Sequence, residues 1–106
     1  MMNKREPLPP NYEKLLNVLR PGKENATSSR EIEQLTGISS RDTGAFTADL
    51  IIRYGYRIGS SRVKPYGYYL IEDEQELKDT LRSLNNEMQG ILNRHKALQA
   101  NFYTDK

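Results

Sequence analysis

The 106-residue chain has no cysteine, no tryptophan and a single histidine, His95. Without cysteine, neither a disulfide framework nor a thiolate metal site is possible, and the composition fits a reducing cytoplasm. One histidine with no carboxylate four residues away does not build a metal site. No apolar run approaches the roughly 20 residues of a membrane span, and the start of the chain lacks the apolar stretch of a signal peptide. We therefore expect a cytoplasmic protein.

Catalytic patterns are also missing from the sequence. It contains no phosphate-binding glycine-rich loop, no HExxH motif and no nucleophile elbow. Gly59-Ser60-Ser61 has the composition of a hairpin instead. We predict that the protein is not an enzyme and that it uses no cofactor and no metal ion.

Apolar residues and net charge are both modest. Hydrophobic residues make up 36% of the chain, so the core of its one domain must be small or shared with a partner. The net charge of +2 is too small to indicate nucleic acid by itself. Residues 1–70 hold 11 Lys/Arg and 7 Asp/Glu, whereas residues 71–106 hold 5 and 7. The basic excess therefore lies in the first two thirds of the chain.

The first 37 residues predict an arm and two helices. Residues 1–10 are polar with three prolines, which predicts a flexible N-terminal arm. Asn11 can cap a first helix over about 12–20. Ser28 and Glu31 have capping-box spacing at the start of a second helix, which would turn Ile32 and Leu35 inward. Gly37 suits the left-handed position that ends a helix.

A third helix and a hairpin follow. Ser39 or Ser40 can cap a helix that runs to about Tyr54, and Ile38 before it is expected in the core. Residues 56–58 and 68–71 alternate as two strands around a loop at 59–67. Three helices followed by a β-hairpin are the elements of an α+β winged helix-turn-helix, here over residues 11–72.

Residues 73–103 predict a long coiled-coil-like helix for dimerisation. Asp73 and Glu76 form a capping pair at its start. Apolar side chains and one histidine then recur at alternating spacings of 4 and 3. The alternative is that this stripe folds back on the first helix of its own chain. The flanking positions carry no clear charge code, so parallel and antiparallel pairing both stay open. The stripe consists of Leu77, Leu81, Leu84, Met88, Ile91, His95, Leu98 and Phe102.

Candidate DNA contacts lie at helix starts and on the hairpin. Hydroxyls, backbone N–H groups and cations at a helix N-terminus suit phosphate oxygens, and a recognition helix enters the major groove by that end. Cations on the hairpin suit phosphate or minor-groove contacts. The predicted DNA-contacting residues are Arg30, Ser39, Ser40, Arg41, Thr43, Arg53, Arg57, Arg62 and Lys64.

The third helix also permits a different partner. On a helical wheel, Gly44, Ala48 and Ile51 fall on the side where the core is expected. The opposite side then presents an acidic strip with partly exposed apolar residues, which suits a protein better than DNA. This possible protein-partner face consists of Asp42, Phe46, Asp49 and Leu50.

Several motifs resemble those of small winged-helix proteins encoded by phages and prophages of Gram-positive bacteria. The similar segment covers about two thirds of the chain. It includes the opening at 20–29, the Gly-Ile-Ser-x-Arg motif at 37–41, the Gly-Tyr-x-Ile-Gly-Ser-Ser-Arg motif at 55–62 and the segment 67–77. The chain departs from the pattern at Gly44 and Ala48, where larger apolar residues are usual.

The resemblance implies a transcription regulator or a replication-associated protein that binds double-stranded DNA. With the residues above, it predicts a homodimer joined by the last helix, acting in the cytoplasm of a bacterial host. The alternative is a winged-helix interaction module that binds and modulates a host protein of replication or defence.

Overall fold

A computed structural model describes residues 7–104, and within them the chain is α+β. Four α-helices and one antiparallel hairpin follow each other along the chain, with a short 3-10 turn at Lys23–Asn25. The order of elements is compatible with a winged helix. The elements are α1 (Pro10–Val18), α2 (Ser29–Thr36), α3 (Ser40–Ile52), β1 (Ile58–Ser61), β2 (Gly67–Leu70) and α4 (Glu74–Thr104).

The second and third helices begin where their caps are. The Ser28 hydroxyl accepts a hydrogen bond from the backbone N–H of Glu31 at 3.1 Å, and Ser39 accepts from Asp42 at 3.1 Å. Gly37 ends α2 with a φ of 79°, a left-handed conformation that costs glycine little. These three predictions are confirmed.

The start of α1 differs from the prediction. Asn11 lies inside the helix, and Pro9 occupies the cap position without a side-chain hydrogen bond. Proline at the first helical position replaces the polar cap, because its fixed φ suits the helix and it has no N–H to satisfy. Of the predicted arm, residues 1–6 lie outside the described residues, and Leu8 packs against the core.

The hairpin gains a third chain segment at its edge. Its strands pair from Ile58 opposite Leu70 to Ser61 opposite Gly67. Thr27 then pairs with Tyr68 through two backbone hydrogen bonds of 2.8 and 2.9 Å. The predicted first strand at 56–58 is therefore displaced, since only its last residue belongs to β1.

One core joins the three short helices to the hairpin. Ile38 is 5% exposed, which confirms its predicted place. Leu35 is 61% exposed, so its predicted inward position is wrong. The core cluster consists of Leu15, Leu19, Ile32, Ile38, Leu50, Tyr54 and Ile58.

Polar contacts attach the start of α4 to the body of the protein, which we define as the described residues before α4, 7–73. Asp73 accepts from the backbone N–H of Glu76 at 2.9 Å. The Glu76 carboxylate accepts from the backbone N–H groups of Lys23 and Glu72, each at 2.8 Å, so it reaches beyond the predicted capping position. Lys23 forms an ion pair of 3.2 Å with Asp79. From this base the helix runs on to give an extent of 53 Å along the longest axis.

Candidate nucleic-acid interface and apolar stripe

Two helix N-termini present cations to solvent. Arg30 and Arg41 are each the second residue of their helix, and both are exposed. Ser40 is also exposed, whereas Ser39 is half-buried and occupied as a cap. Free backbone N–H groups of a first turn and a neighbouring guanidinium can together hold a phosphate oxygen.

A groove of ≈ 710 Å³ lies between the first turn of α2, one side of α3, the hairpin and the first half of α4. Ser29 lines it from α2, Gly44 and Ala48 line it from α3, and Arg62 and Tyr66 line it from the hairpin. Because Gly44 and Ala48 carry almost no side chain, the hairpin and α3 leave open space between them. The small residues at these two positions thus border a groove at the surface and do not leave a void in the core.

The hairpin cations are not equivalent. Lys64 is exposed in the loop between β1 and β2. Arg62 forms an ion pair with Glu87 of α4, which links the hairpin to the long helix. Arg57 is exposed but lines a different groove, beside Ile51 and the start of α4. Arg62 and Lys64 therefore remain together as a candidate contact, and Arg57 lies apart from them.

Arg53 lies at the far end of α3 from Arg41. It occupies the C-terminal cap, and its guanidinium carbon is 5.7 Å from the centre of the Tyr54 ring. Twelve residues of helix separate the two arginines by about 18 Å at ~1.5 Å per residue. A single phosphate therefore cannot contact both.

The orientation of α3 corrects two predicted site residues. Thr43 and Leu50 are each 0% exposed, so the predicted DNA contact at Thr43 and the predicted partner contact at Leu50 are wrong. With Thr47 they form the inward stripe of the helix, and Tyr54, two residues after its end, is buried as well. Thr43 and Thr47 thus lie on the inward face of α3, where the prediction expected Gly44, Ala48 and Ile51. Threonine can pack there because its side chain carries a methyl group.

Phe46 and Asp49 face the first helix instead of solvent. The Phe46 ring lies 4.8 Å from that of Tyr12. The Tyr12 hydroxyl donates to Asp49 at 2.7 Å. This hydrogen bond to a carboxylate, together with partial burial, raises the pKa of Tyr12 above its usual value. Of the predicted partner face, only Asp42 is exposed.

The outer face of α3 is small and apolar between its two arginines. Ala45, Ala48 and Ile52 follow Arg41 at helical spacing, and all are exposed. Ile52 is 74% exposed and Ile51 is 40% exposed. The helical wheel placed Ile51 inside and gave no surface role to Ile52. Ile52 follows the buried Thr43 by nine residues and Thr47 by five, which places it on the opposite side of the helix, and this spacing is the signal that identifies the face.

The apolar stripe on α4 lies open along its length. It does not fold back on α1, since every described residue from 84 to 104 is exposed. Exposure rises from 42% at Leu77 to 74% at Phe102. In this stretch of the chain the helix makes no buried contact with its own body.

Three carboxylates gather where α4 meets the body. Glu24, Glu72 and Glu76 offer oxygen atoms that lie within 4.8 Å of one another. Both Glu76 oxygens already accept backbone N–H groups. Nearby, hydrogen bonds from Gln75 and Lys23 hold the pKa of Asp79 below its usual value. These contacts serve to hold α4 in place.

Comparisons with protein-family models, curated proteins and solved structures gave no match to this chain. The resemblance to phage winged-helix proteins therefore stays a prediction. None of the helices within residues 7–104 combines the length and the apolar character needed to cross a membrane.

Proposed function

We propose that the chain is a winged-helix protein of the phage type that binds double-stranded DNA as a dimer, as a transcription regulator or in replication. The observation that carries the proposal is the groove shared by the first turn of α2, α3 and the hairpin. In a winged helix these are the elements that meet DNA, and here they border one open surface.

Phosphate contact is the part of this proposal with the best chemical support. Arg30, Arg41 and Lys64 are exposed cations on the three elements that border the groove. Two of them lie at capped helix N-termini, where backbone N–H groups add to the attraction for anions. Such contacts set position and affinity but carry no sequence information.

Base reading has a narrower set of candidates. After Arg41, the exposed face of α3 offers Asp42, two alanines and an isoleucine. Arginine can pair with guanine, and alanine can contact the methyl group of thymine. Arg41 is therefore the residue to which we assign sequence discrimination.

The test is binding of labelled duplexes at ~50 and ~200 mM salt, a range over which attraction to phosphates weakens steeply. The double variant Arg41→Ala/Lys64→Ala should bind more weakly. It should also lower the slope of log K against log salt by about 0.9 for each phosphate that the variant no longer neutralises. The control Lys14→Ala/Lys96→Ala removes the same charge at exposed positions on α1 and on the part of α4 after Glu87, two segments that contribute no lining residue to the groove. Equal losses of affinity in both variants would mean that net charge alone causes the effect. No binding at either salt concentration would overturn the proposal.

A protein-binding module is the second candidate, and the outer face of α3 is the observation that favours it. Ala45, Ala48 and Ile52 offer apolar area without a cation among them. Such a surface suits a host protein of replication or defence better than a phosphate backbone. An apolar contact would change little with salt, so the same titration separates the two candidates once a partner is tested.

A further inference from the structure

The outer part of α4 has no cover of its own. Every described residue from 84 to 104 is exposed, including Ile91 and Leu98. Most helix stability in proteins comes from packing an apolar face rather than from helix propensity, and this stretch buries no such face against its own chain. Something must therefore cover the stripe if the helix is to persist.

The base of the same helix borders an apolar groove. It has a volume of ≈ 470 Å³ and is lined by Ile51, Ile58, Leu77 and Leu81. One of its rims is acidic, with Glu72 and Glu74 among the lining residues. The groove continues into the stripe, since Leu77, Leu81 and Leu84 belong to both.

We propose that the cover is α4 of a second copy, paired antiparallel about a twofold axis that passes between Met88 and Ile91. The stripe is palindromic in its spacing, so this register leaves none of its residues unpaired. It sets Leu77 against Phe102, Leu81 against Leu98, Leu84 against His95 and Met88 against Ile91 of the other copy. In-register parallel pairing would set His95 against its own copy, a polar pair in the seam.

The flanking charges favour the antiparallel arrangement. Glu87 and Arg94 both occupy the g position of the heptad. In an antiparallel pair g positions face each other. About this axis Glu87, which also pairs with Arg62 of its own chain, meets Arg94 of the other copy, twice by symmetry. In a parallel pair g faces e of the next heptad. Glu87 would then face Leu92, and Arg94 would face Gln99, so that no ion pair forms.

The acidic base of the helix favours the same orientation. Residues 72–79 hold five carboxylates and one lysine. Parallel pairing would bring two copies of this segment side by side, with repulsion between like charges. Antiparallel pairing sets residues 100–104 opposite residues 75–79, and residues 100–104 carry no charge.

Aromatic side chains at the far end match the groove at the base. Phe102 and Tyr103 are 74% and 68% exposed, and their ring centres lie 5.2 Å apart. With Phe102 opposite Leu77, the partner's helix end lies over the groove beside Ile51. Aromatic anchors in an apolar recess are the contacts that dominate interface energies.

Engineered thiols test the orientation directly, because the chain has no cysteine of its own. Leu84→Cys and His95→Cys are prepared separately, one with a mass tag, and are oxidised alone and after subunit exchange. In the antiparallel dimer two copies of position 84 are about 17 Å apart at ~1.5 Å per residue. This exceeds the ~7 Å limit between Cα atoms for a disulfide. The expected product is a mixed disulfide that forms only when the variants are combined.

Two further samples, a second pair on the stripe and a variant on the opposite side of the helix, serve as controls. The pair Leu81→Cys and Leu98→Cys repeats the test one layer further from the axis. Asn93→Cys lies on the opposite side of the helix from the stripe and should not cross-link. Self-linked products from each single variant would establish parallel pairing and overturn the proposal. A dimer that cross-links at none of these stripe positions would show that α4 does not form the interface.

This inference rests on the dimer of the proposed function but not on DNA binding, so the two can fail separately. Sedimentation of the unmodified protein reports the dimer without DNA. A monomer at all concentrations would overturn the pairing, while salt-sensitive DNA binding by that monomer would leave the DNA contact standing.

Discussion

The body buries its apolar residues, whereas the outer part of α4 leaves its apolar residues exposed. The nine buried hydrophobic residues of the described chain all precede residue 70. In contrast, α4 buries only Thr80, although its sequence has the more regular apolar pattern. Periodicity thus identifies which face of an element is apolar, but only the surrounding chain decides whether that face is covered within the molecule.

This difference separates two sources of stability. Contacts around Leu50 and Tyr69 lie within one chain, so their contribution does not depend on protein concentration. In the proposed dimer the contacts of the outer α4 stripe come from another chain, so their contribution should rise with concentration. Variants in the two regions should therefore respond differently to dilution.

The largest effect is expected for Leu50→Ala in the body. Leu50 is 0% exposed at the centre of the core cluster. Removal of its buried methyl groups and the cavity left behind should cost about 2–5 kcal/mol. Urea unfolding monitored by circular dichroism measures this cost, which should be the same at low and high protein concentration.

Ile52→Ala is the matched control for Leu50→Ala. It lies two residues away on the same helix but is 74% exposed. Its substitution should change the free energy of unfolding by less than about 0.5 kcal/mol. A large destabilisation at Ile52 with little at Leu50 would mean that α3 is rotated from the orientation described.

Two glycines extend the comparison with effects of opposite sign. Gly67 has a φ of 132°, and a Cβ there would overlap the carbonyl group of Thr27. Gly67→Ala should therefore cost about 2–4 kcal/mol through backbone strain and overpacking.

Gly90 lies within α4 with nothing within 4 Å of an added Cβ. Gly90→Ala should stabilise the helix by about 1 kcal/mol, the difference in helix propensity.

Thermal unfolding at two protein concentrations measures both glycine variants. The added stability of Gly90→Ala should appear as increased helical signal and a tighter dimer. Destabilisation by Gly90→Ala would show that the partner helix approaches this side of α4, which would contradict the proposed seam.

Local signals in the sequence were sufficient to predict much of the fold. The caps at Ser28 and Ser39 and the left-handed Gly37 were predictable because each depends on atoms within a few residues. Ile38 was predictable as a core residue because an apolar residue in a tight turn between two helices has little alternative. The long helix likewise follows from its regular pattern.

Features set by distant segments were not predictable. The rotation of α3 depends on what α1 and the hairpin present to it, and its two buried threonines appear polar in any wheel. The pairing of Thr27 with Tyr68 joins segments 41 residues apart. The register of β1 likewise depends on its pairing with β2, from Ile58 opposite Leu70 to Ser61 opposite Gly67. The groove beside Gly44 was missed for the same reason, since it exists only where the hairpin stands away from α3.

The smallest expected effect concerns one hydrogen bond of the body, between Tyr12 and Asp49. Tyr12→Phe removes the 2.7 Å bond while keeping the ring against Phe46. Because Tyr12 is half-buried, we expect a destabilisation of about 1 kcal/mol at neutral pH by urea unfolding. Tyr66→Phe, at a ring that is 55% exposed, is the control and should be destabilised less.

The pH dependence of that destabilisation has a definite sign. The hydrogen bond to Asp49 raises the pKa of Tyr12 in the folded state above its ordinary value of 10.0. The folded protein therefore holds this proton more tightly than the unfolded chain does. The stabilisation is complete below the unfolded pKa and disappears as the pH rises through the folded pKa. The difference between wild type and Tyr12→Phe should accordingly be constant from neutral pH to about pH 9 and shrink above pH ~10. A difference that instead disappears on dilution would place Tyr12 among the contacts that depend on a second chain, against the division between body and stripe.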